Sequence, residues 1–432
     1  MLIDSMRLRN FQGFKLDQRL RMAPLTLLFG PNSSGKTSIL RALRLLDQSW
    51  NGQGTFIFNG QAVQLGGFDA TVFRAEDSTK FELGVGFADA AVDRDSVSLE
   101  FQRVWRLRRA DSGELGPQMS AALSDFFVSF RVDDRFVGSA DRIVVEAELN
   151  IEGGQRGEHA HSRHDIRLEL KRRSIENVMA WSVTKCDFSE VELFLGALGL
   201  EGPARWQDFI PEFSFEVQEG LIPARPAEIR RQERRLAHKT DEGRFAEKFI
   251  GNLLRFFSLV FQFPITDNVG PIRNLAESTS LSLEQRRGFN VDQLKPDGSN
   301  IADFLVALDP ENLERTSNWL YQLTDERFSI HVLELDFGRA DSPEDSGGAT
   351  FRNAFGSESR FFIQDHHNQT RVSPRNSGSG LSQVLPVIAS LVGSLEKQST
   401  RESRLRLRRS RPRIALIEQP ELHLHPAMQA EV

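Results

Sequence analysis

An α/β fold is predicted by three stretches that lie far apart in this 432-residue chain. A glycine-rich loop, Gly30-Pro31-Asn32-Ser33-Ser34-Gly35-Lys36-Thr37, sits between an apolar run and a helical one. A β-branched run, Ile414-Ala415-Leu416-Ile417, ends in Glu418. A Ser/Gly loop, Asn376-Ser377-Gly378-Ser379-Gly380-Leu381-Ser382-Gln383, precedes the apolar stretch Val384 to Val392. Buried strands that deliver polar groups at their carboxyl ends, with helices starting at anion-binding loops, are the marks of a parallel-sheet α/β core.

The first loop fits the pattern G-x-x-x-x-G-K-[ST]. Leu25-Thr26-Leu27-Leu28-Phe29 before it is expected to be a strand, and Ser38 to Leu46 after it a helix. Glycines let backbone amides curl around a polyphosphate, and the helix start turns its positive dipole end toward the same anion. Lys36 would reach the β- and γ-phosphates, with Thr37, next to Ser38, as a magnesium ligand.

At the other end, Glu418 is the expected metal-side acid, because a buried strand would carry it to the sheet edge. The chain then leaves at a proline through Gln419-Pro420-Glu421-Leu422-His423-Leu424-His425-Pro426, which brings further polar groups to the same edge. The Ser/Gly loop, with Ser377, Gly378, Ser379 and Gly380, is read as a second anion site at a helix start, and the helix as buried with an early proline, Pro386.

Six stretches together resemble one family. They are Met6-Arg7-Leu8-Arg9-Asn10-Phe11-Gln12-Gly13-Phe14, the loop Gly30 to Thr37, Leu65-Gly66-Gly67-Phe68, Val269-Gly270-Pro271-Ile272-Arg273, the Ser/Gly loop running into Pro386, and Ile417 to Pro426. The chain resembles prokaryotic ABC-type ATPases of the AAA family related to the overcoming-lysogenization-defect (OLD) proteins, RecF and SMC heads, among them uncharacterised ATPases with a domain of unknown function. The resemblance implies ATP and Mg2+ as cofactors and a second copy of the chain as partner, with the phosphate loop of one head facing the signature loop of the other. Arg9 and Asn10 join the nucleotide-binding set on the same ground. It also implies a role in anti-phage defence or DNA repair beside a nuclease or other effector. The alternative is an ATP-dependent nuclease of the OLD type, whose cutting domain would lie beyond residue 432, since the family's fold continues past the acidic strand.

One position departs from the family. Where such sites carry a glutamate that acts on the attacking water, this chain has Gln419, and an amide cannot accept a proton. Slow hydrolysis is expected, with Glu421 or His425 as substitute bases.

The rest of the chain sets the architecture. Short alternating runs, Lys80 to Val85, Ser96 to Phe101 and Arg142 to Leu149, predict an antiparallel sheet attached to the nucleotide fold over residues 1–173. Residues 174–323 read as a compact, mostly helical lid, with Phe245, Phe249, Leu253, Phe256, Phe257 and Val260 on one helix face. Proline, glycine and charged runs interrupt every candidate heptad, so no long coiled coil is expected. Residues 324–432 return to strands, as in Arg327 to Leu335, and carry the signature loop and acidic strand.

Composition narrows the setting. Fifty-four Lys and Arg against 60 Asp and Glu give a net charge of −6, so any nucleic-acid contact must be local. Arg401 to Arg413 is the one dense basic run, and Arg406, Arg408 and Arg409 are its candidate phosphate contacts; a solvated surface or a protein contact is the competing reading. Cys186 is the sole cysteine, which rules out an intrachain disulfide and suits a cytoplasmic protein. No leader or membrane span is read in the sequence.

Overall fold

The computed structural model describes residues 3–50, 55–73, 80–88, 94–105, 120–133, 135, 139–153, 160–175, 178–188, 191, 195, 214–216, 221–223, 225–226, 241–260, 263–271, 273, 294–295, 297–335, 358–373, 379–394 and 413–422. The chain divides into two compact units, Met1–Phe263 and Pro264–Val432.

The first unit is built on an antiparallel sheet. Strands β1 (Ile3–Arg9), β2 (Gln18–Arg21), β3 (Lys80–Ala88), β4 (Ser120–Asp133), β5 (Ala140–Gly153), β6 (Ala160–Ile175), β7 (Val178–Phe188), β8 (Ser214–Glu216) and β9 (Arg225–Pro226) lie in the order β2-β1-β3-β4-β5-β6-β7-β8-β9. Alternation decides its faces. Phe81, Leu83, Val85 and Phe87 of β3, with Phe126, Val128, Phe130 and Val132 of β4, turn into the core, while the residues between them, Phe127 apart, carry glycine, serine or charge.

Helices close the apolar face. Helix α1 (Lys36–Trp50) ends with Trp50 edge-on to Phe130, ring centroids 6.2 Å apart. A short turn of helix, α2 (Phe68–Thr71), places Phe68 5.7 Å from Phe81. Helix α3 (Arg94–Val104) meets α4 (Asp241–Val260) through Phe101 and Phe256 at 5.5 Å, and Phe126 of the sheet meets Phe257 at 5.5 Å. The apolar face expected for residues 245–260 is therefore core, with Phe249, Leu253, Phe256, Phe257 and Val260 buried and Phe245 half-buried.

Three local expectations change. The run Leu25 to Phe29 forms no strand: Leu25, Leu27 and Phe29 are 76%, 65% and 87% exposed. Strand β1 is already flanked by β2 and β3, so it offers this run no ladder. Ser96 to Phe101 lies in helix α3, not a strand; Val97 and Phe101 are buried four residues apart, the helical spacing. In the stretch read as mostly helical, Val178–Phe188 instead extends the sheet as β7, pairing with β6 from Ile166↔Phe188 to Ile175↔Val178.

The second unit carries two smaller sheets. β10 (Ile265–Val269) and β14 (Arg413–Ile417) run parallel, and β11 (Phe328–Leu335), β12 (Glu358–Asp365) and β13 (Thr370–Val372) are antiparallel. Helices α5 (Ile301–Ala307), α6 (Pro310–Leu323) and α7 (Ser379–Ser394) share one core with them, through Phe304, Leu320, Ile330, Ile363, Leu385 and Ile388. α6 has a capped start. Pro310 takes the first helical position, and the Asp309 side chain accepts from the Asn312 amide at 2.9 Å.

Candidate nucleotide site

The phosphate loop lies in the first unit, between the exposed run at Leu25 to Phe29 and helix α1. Its backbone turns are of the kind that glycine permits: φ is 151° at Gly30 and 95° at Gly35, and Ser33 also takes a positive φ of 64°. Helix α1 begins at Lys36, so its positive dipole end faces the loop. Lys36 curls back over the turn, and its Nζ donates to the carbonyls of Gly30 and Pro31, each at 2.7 Å. Gly30 to Ser34 are exposed, and Lys36 and Thr37 are half-buried.

What holds this loop is the hairpin at the end of β1. Asn10 and Gln12 take positive φ values of 53° and 44°, and Phe11 and Phe14 exchange backbone hydrogen bonds of 3.0 and 2.8 Å. The turn so formed leans on the phosphate loop. A Cβ placed on Gly35 would stand 3.3 Å from two ring carbons of Phe14, and one on Gly13 would stand 3.6 Å from the Gly35 Cα. Two glycines and one ring thus hold the hairpin and the loop in register.

Arg9 and Asn10 have separate placements. The Arg9 side chain is mostly exposed and faces Glu82 at 3.8 Å. Asn10 is 7% exposed; its side-chain amide donates to the Lys80 carbonyl, and its own carbonyl accepts from Phe73. Asn10 therefore ties the hairpin to the sheet.

The acidic strand end and the signature helix belong to the second unit. β14 pairs in parallel with β10 from Ile265↔Arg413 to Val269↔Ile417, and the Glu418 amide extends the ladder to the Val269 carbonyl at 2.9 Å. Glu418 is half-buried. Gln419 follows with a positive φ of 48°, which turns the chain sharply out of the strand. Helix α7 begins at Ser379, so Ser379 and Gly380 stand in its first turn and Pro386 lies inside the helix, not near its start. Ser377, Gly378, His425, Arg406, Arg408 and Arg409 lie outside the described residues. Arg413, the last of the basic run, is in β14, where its guanidinium donates to the buried Asp267 carboxylate at 2.7 and 2.8 Å.

One buried arginine organises this region. Arg273 is 2% exposed and joins three segments. Its guanidinium donates to the carbonyls of Gln383 at 3.2 Å, Glu418 at 2.6 Å and Gln419 at 3.0 Å. Gln383 answers by donating its side-chain amide to the Arg273 carbonyl at 2.8 Å. Burial pulls the Arg273 pKa down and the charge of Glu421 pushes it back up. The signal in the sequence was a lone arginine after Val269-Gly270-Pro271-Ile272, but its partners stand 110 to 146 residues away.

Helix start, glycines at positive φ and a lysine folded over the turn are the features of a phosphate-binding loop, and the residues fit a polyphosphate. Residues 1–186 match the family model described as AAA ATPase domain. That match supports an AAA-family ATPase that binds and hydrolyses ATP. No curated protein matches the chain. Among the described residues, no helix is long and apolar enough to cross a membrane.

Proposed function

We propose that the chain is an ABC-type ATPase that works as a dimerising switch, two copies closing on ATP in anti-phage defence or DNA repair with a nuclease or other effector. The loop geometry of Gly30, Gly35 and Lys36 supports the nucleotide-binding part of this reading. Magnesium-bound ATP would supply the phosphoanhydride whose cleavage resets the switch. The amides at Asn32 to Ser38 would bind its phosphates and Lys36 would neutralise them; Thr37 of the first unit and Glu418 of the second are each proposed as a metal ligand. Gln419 would orient a water without taking its proton, which suits slow turnover. Ser377 to Gly380 would meet the nucleotide held by the second copy.

Further parts of the proposal concern the surroundings of the heads. Arg406, Arg408 and Arg409 are the proposed contacts to nucleic acid, and a cytoplasmic setting is proposed from the single cysteine, Cys186. The pairing step is tested by light scattering of the intact chain with Mg-ATP and with Mg-ADP. The proposal expects the mass to double with ATP alone; an unchanged mass in both would remove the switch and leave a monomeric ATPase.

A further inference from the structure

Gln383 stands one turn into helix α7, where Leu381, Val384 and Leu385 anchor the helix in the core of the second unit. Its own side chain is polar and yet only 7% of the residue is exposed. Both of its amide groups meet Arg273. The side-chain amide donates to the Arg273 carbonyl at 2.8 Å, and the main-chain carbonyl accepts from Arg273 Nη1 at 3.2 Å. This clasp fixes the backbone of Arg273 and its charged head together.

The opposite side of that head reaches the acidic turn. Arg273 Nη2 donates to the carbonyls of Glu418 at 2.6 Å and Gln419 at 3.0 Å, so one guanidinium bridges α7 and the end of β14. A guanidinium is a rigid planar fork, and one nitrogen cannot turn without the other. A shift of Gln383 therefore moves the hydrogen bonds that hold Gln419 at its positive φ of 48°.

Two buried groups in the clasp are idle. Gln383 Oε1 accepts no hydrogen bond, and Arg273 Nε–H donates none. Buried polar groups are nearly always paired, so a donor and an acceptor left idle on two residues already in contact need a cause. Here the guanidinium is aimed at three main-chain carbonyls instead, while Glu421 acts on it by charge alone. The aim at the acidic turn leaves the closer pairing unmade.

Resting on the ATPase reading of that turn, we infer that Gln383 is a positioning residue for hydrolysis: by clasping Arg273 it sets where the main chain of Glu418 and Gln419 stands. Ser379 and Gly380 lie in the first turn of the same helix. A phosphate meeting that turn would thus act on the acidic turn of its own chain.

Gln383→Glu separates this role from plain packing. The change keeps the volume, removes the donor to the Arg273 carbonyl and offers the idle Nε–H a carboxylate, a stronger partner for a guanidinium than any carbonyl. The guanidinium then turns from Glu418 and Gln419 toward residue 383. Gln383→Met keeps the length and takes away the clasp without adding charge. Hydrogen exchange read by mass spectrometry on the intact, nucleotide-free chain reports the turn through the amides of Glu418 and Leu422, which bond to the carbonyls of Val269 and Gln419. Exchange over 418–422 is expected to quicken about tenfold or more in Gln383→Glu and about threefold or more in Gln383→Met, with α6 and β11 exchanging as in the native chain. In steady-state hydrolysis of ATP by Gln383→Glu, kcat should fall about tenfold or more and KM should stay within about threefold. A native chain without ATPase activity would end the ATPase reading, and the exchange measurement would still decide the role of Gln383. Native exchange over 418–422 in both variants, exchange quickened equally in α6 and β11, or an unchanged kcat beside a loosened turn would overturn the inference.

Discussion

The guanidinium of Arg273 donates to the main-chain carbonyl of Gln419 at 3.0 Å, and so grips the residue at which β14 turns out of its sheet. The same group holds Glu418 at 2.6 Å, while the Gln419 carbonyl also accepts from Leu422 at 3.1 Å. A left-handed residue after a strand persists only when its surroundings fix it. Here a buried arginine does so, and it ties the acidic turn to the signature helix through Gln383.

Arg273→Met keeps most of the side-chain volume and removes three charged hydrogen bonds, each worth about 1.5–3 kcal/mol. Denaturant melts should show a loss of about 3 kcal/mol or more, and ATPase activity should fall with it. Arg273→Lys should restore little, since an ammonium lacks the planar fork that spans these carbonyls. Unchanged stability in both variants would mean that the acidic turn is held by something else.

Gln419→Glu places a proton acceptor at the turn. Steady-state ATP hydrolysis should rise on the order of tenfold or more if base catalysis is what the native site lacks. Glu418→Gln should lower it by weakening the metal. A fast native enzyme slowed by Gln419→Glu would move the base to Glu421 or His425.

Gly35→Ala tests the seat of the loop. The new methyl meets Phe14 at 3.3 Å and the backbone stands at φ 95°, so the turn must shift. Nucleotide affinity should drop at least tenfold. The sheet should melt within about 2 kcal/mol of the native protein, because the loop is at its surface. Thermal melts and nucleotide titration read the two effects separately.

Acid stability should depend on Asp133. Burial raises its pKa, but hydrogen bonds from Arg135 and Lys80 outweigh that and hold it well below the usual carboxylate range. A depressed folded pKa contributes stability that is complete above the unfolded value near 4 and is lost as pH falls below it. Thermal melts from pH 7 to pH 3 should therefore fall less steeply for Asp133→Asn than for the native chain. Parallel curves would show that this carboxylate does not govern the acid response.

Some of this was legible in the sequence and some was not. Ile414 to Ile417 and Ser38 to Leu46 could be read because the strand and helix periods there have no rival. Ser96 to Phe101 satisfies both periods, and only the packing of Phe101 on Phe256 selects the helix. The apolar run at Leu25 to Phe29 shows which side chains avoid water, but not whether a strand stands beside it to pair. Arg273 was hidden for a different reason: its role rests on carbonyls, which leave no mark in the residue types of its partners.

Calorimetric titration of ATP into the native chain and into Lys36→Ala tests the central claim most directly. The lysine's ammonium reaches over the turn, 2.7 Å from the carbonyls of Gly30 and Pro31. Saturable binding to the native chain and no detectable heat for the variant are expected, with both proteins melting alike. Equal affinity for the two would contradict the assignment of Gly30 to Thr37 as the phosphate-binding loop.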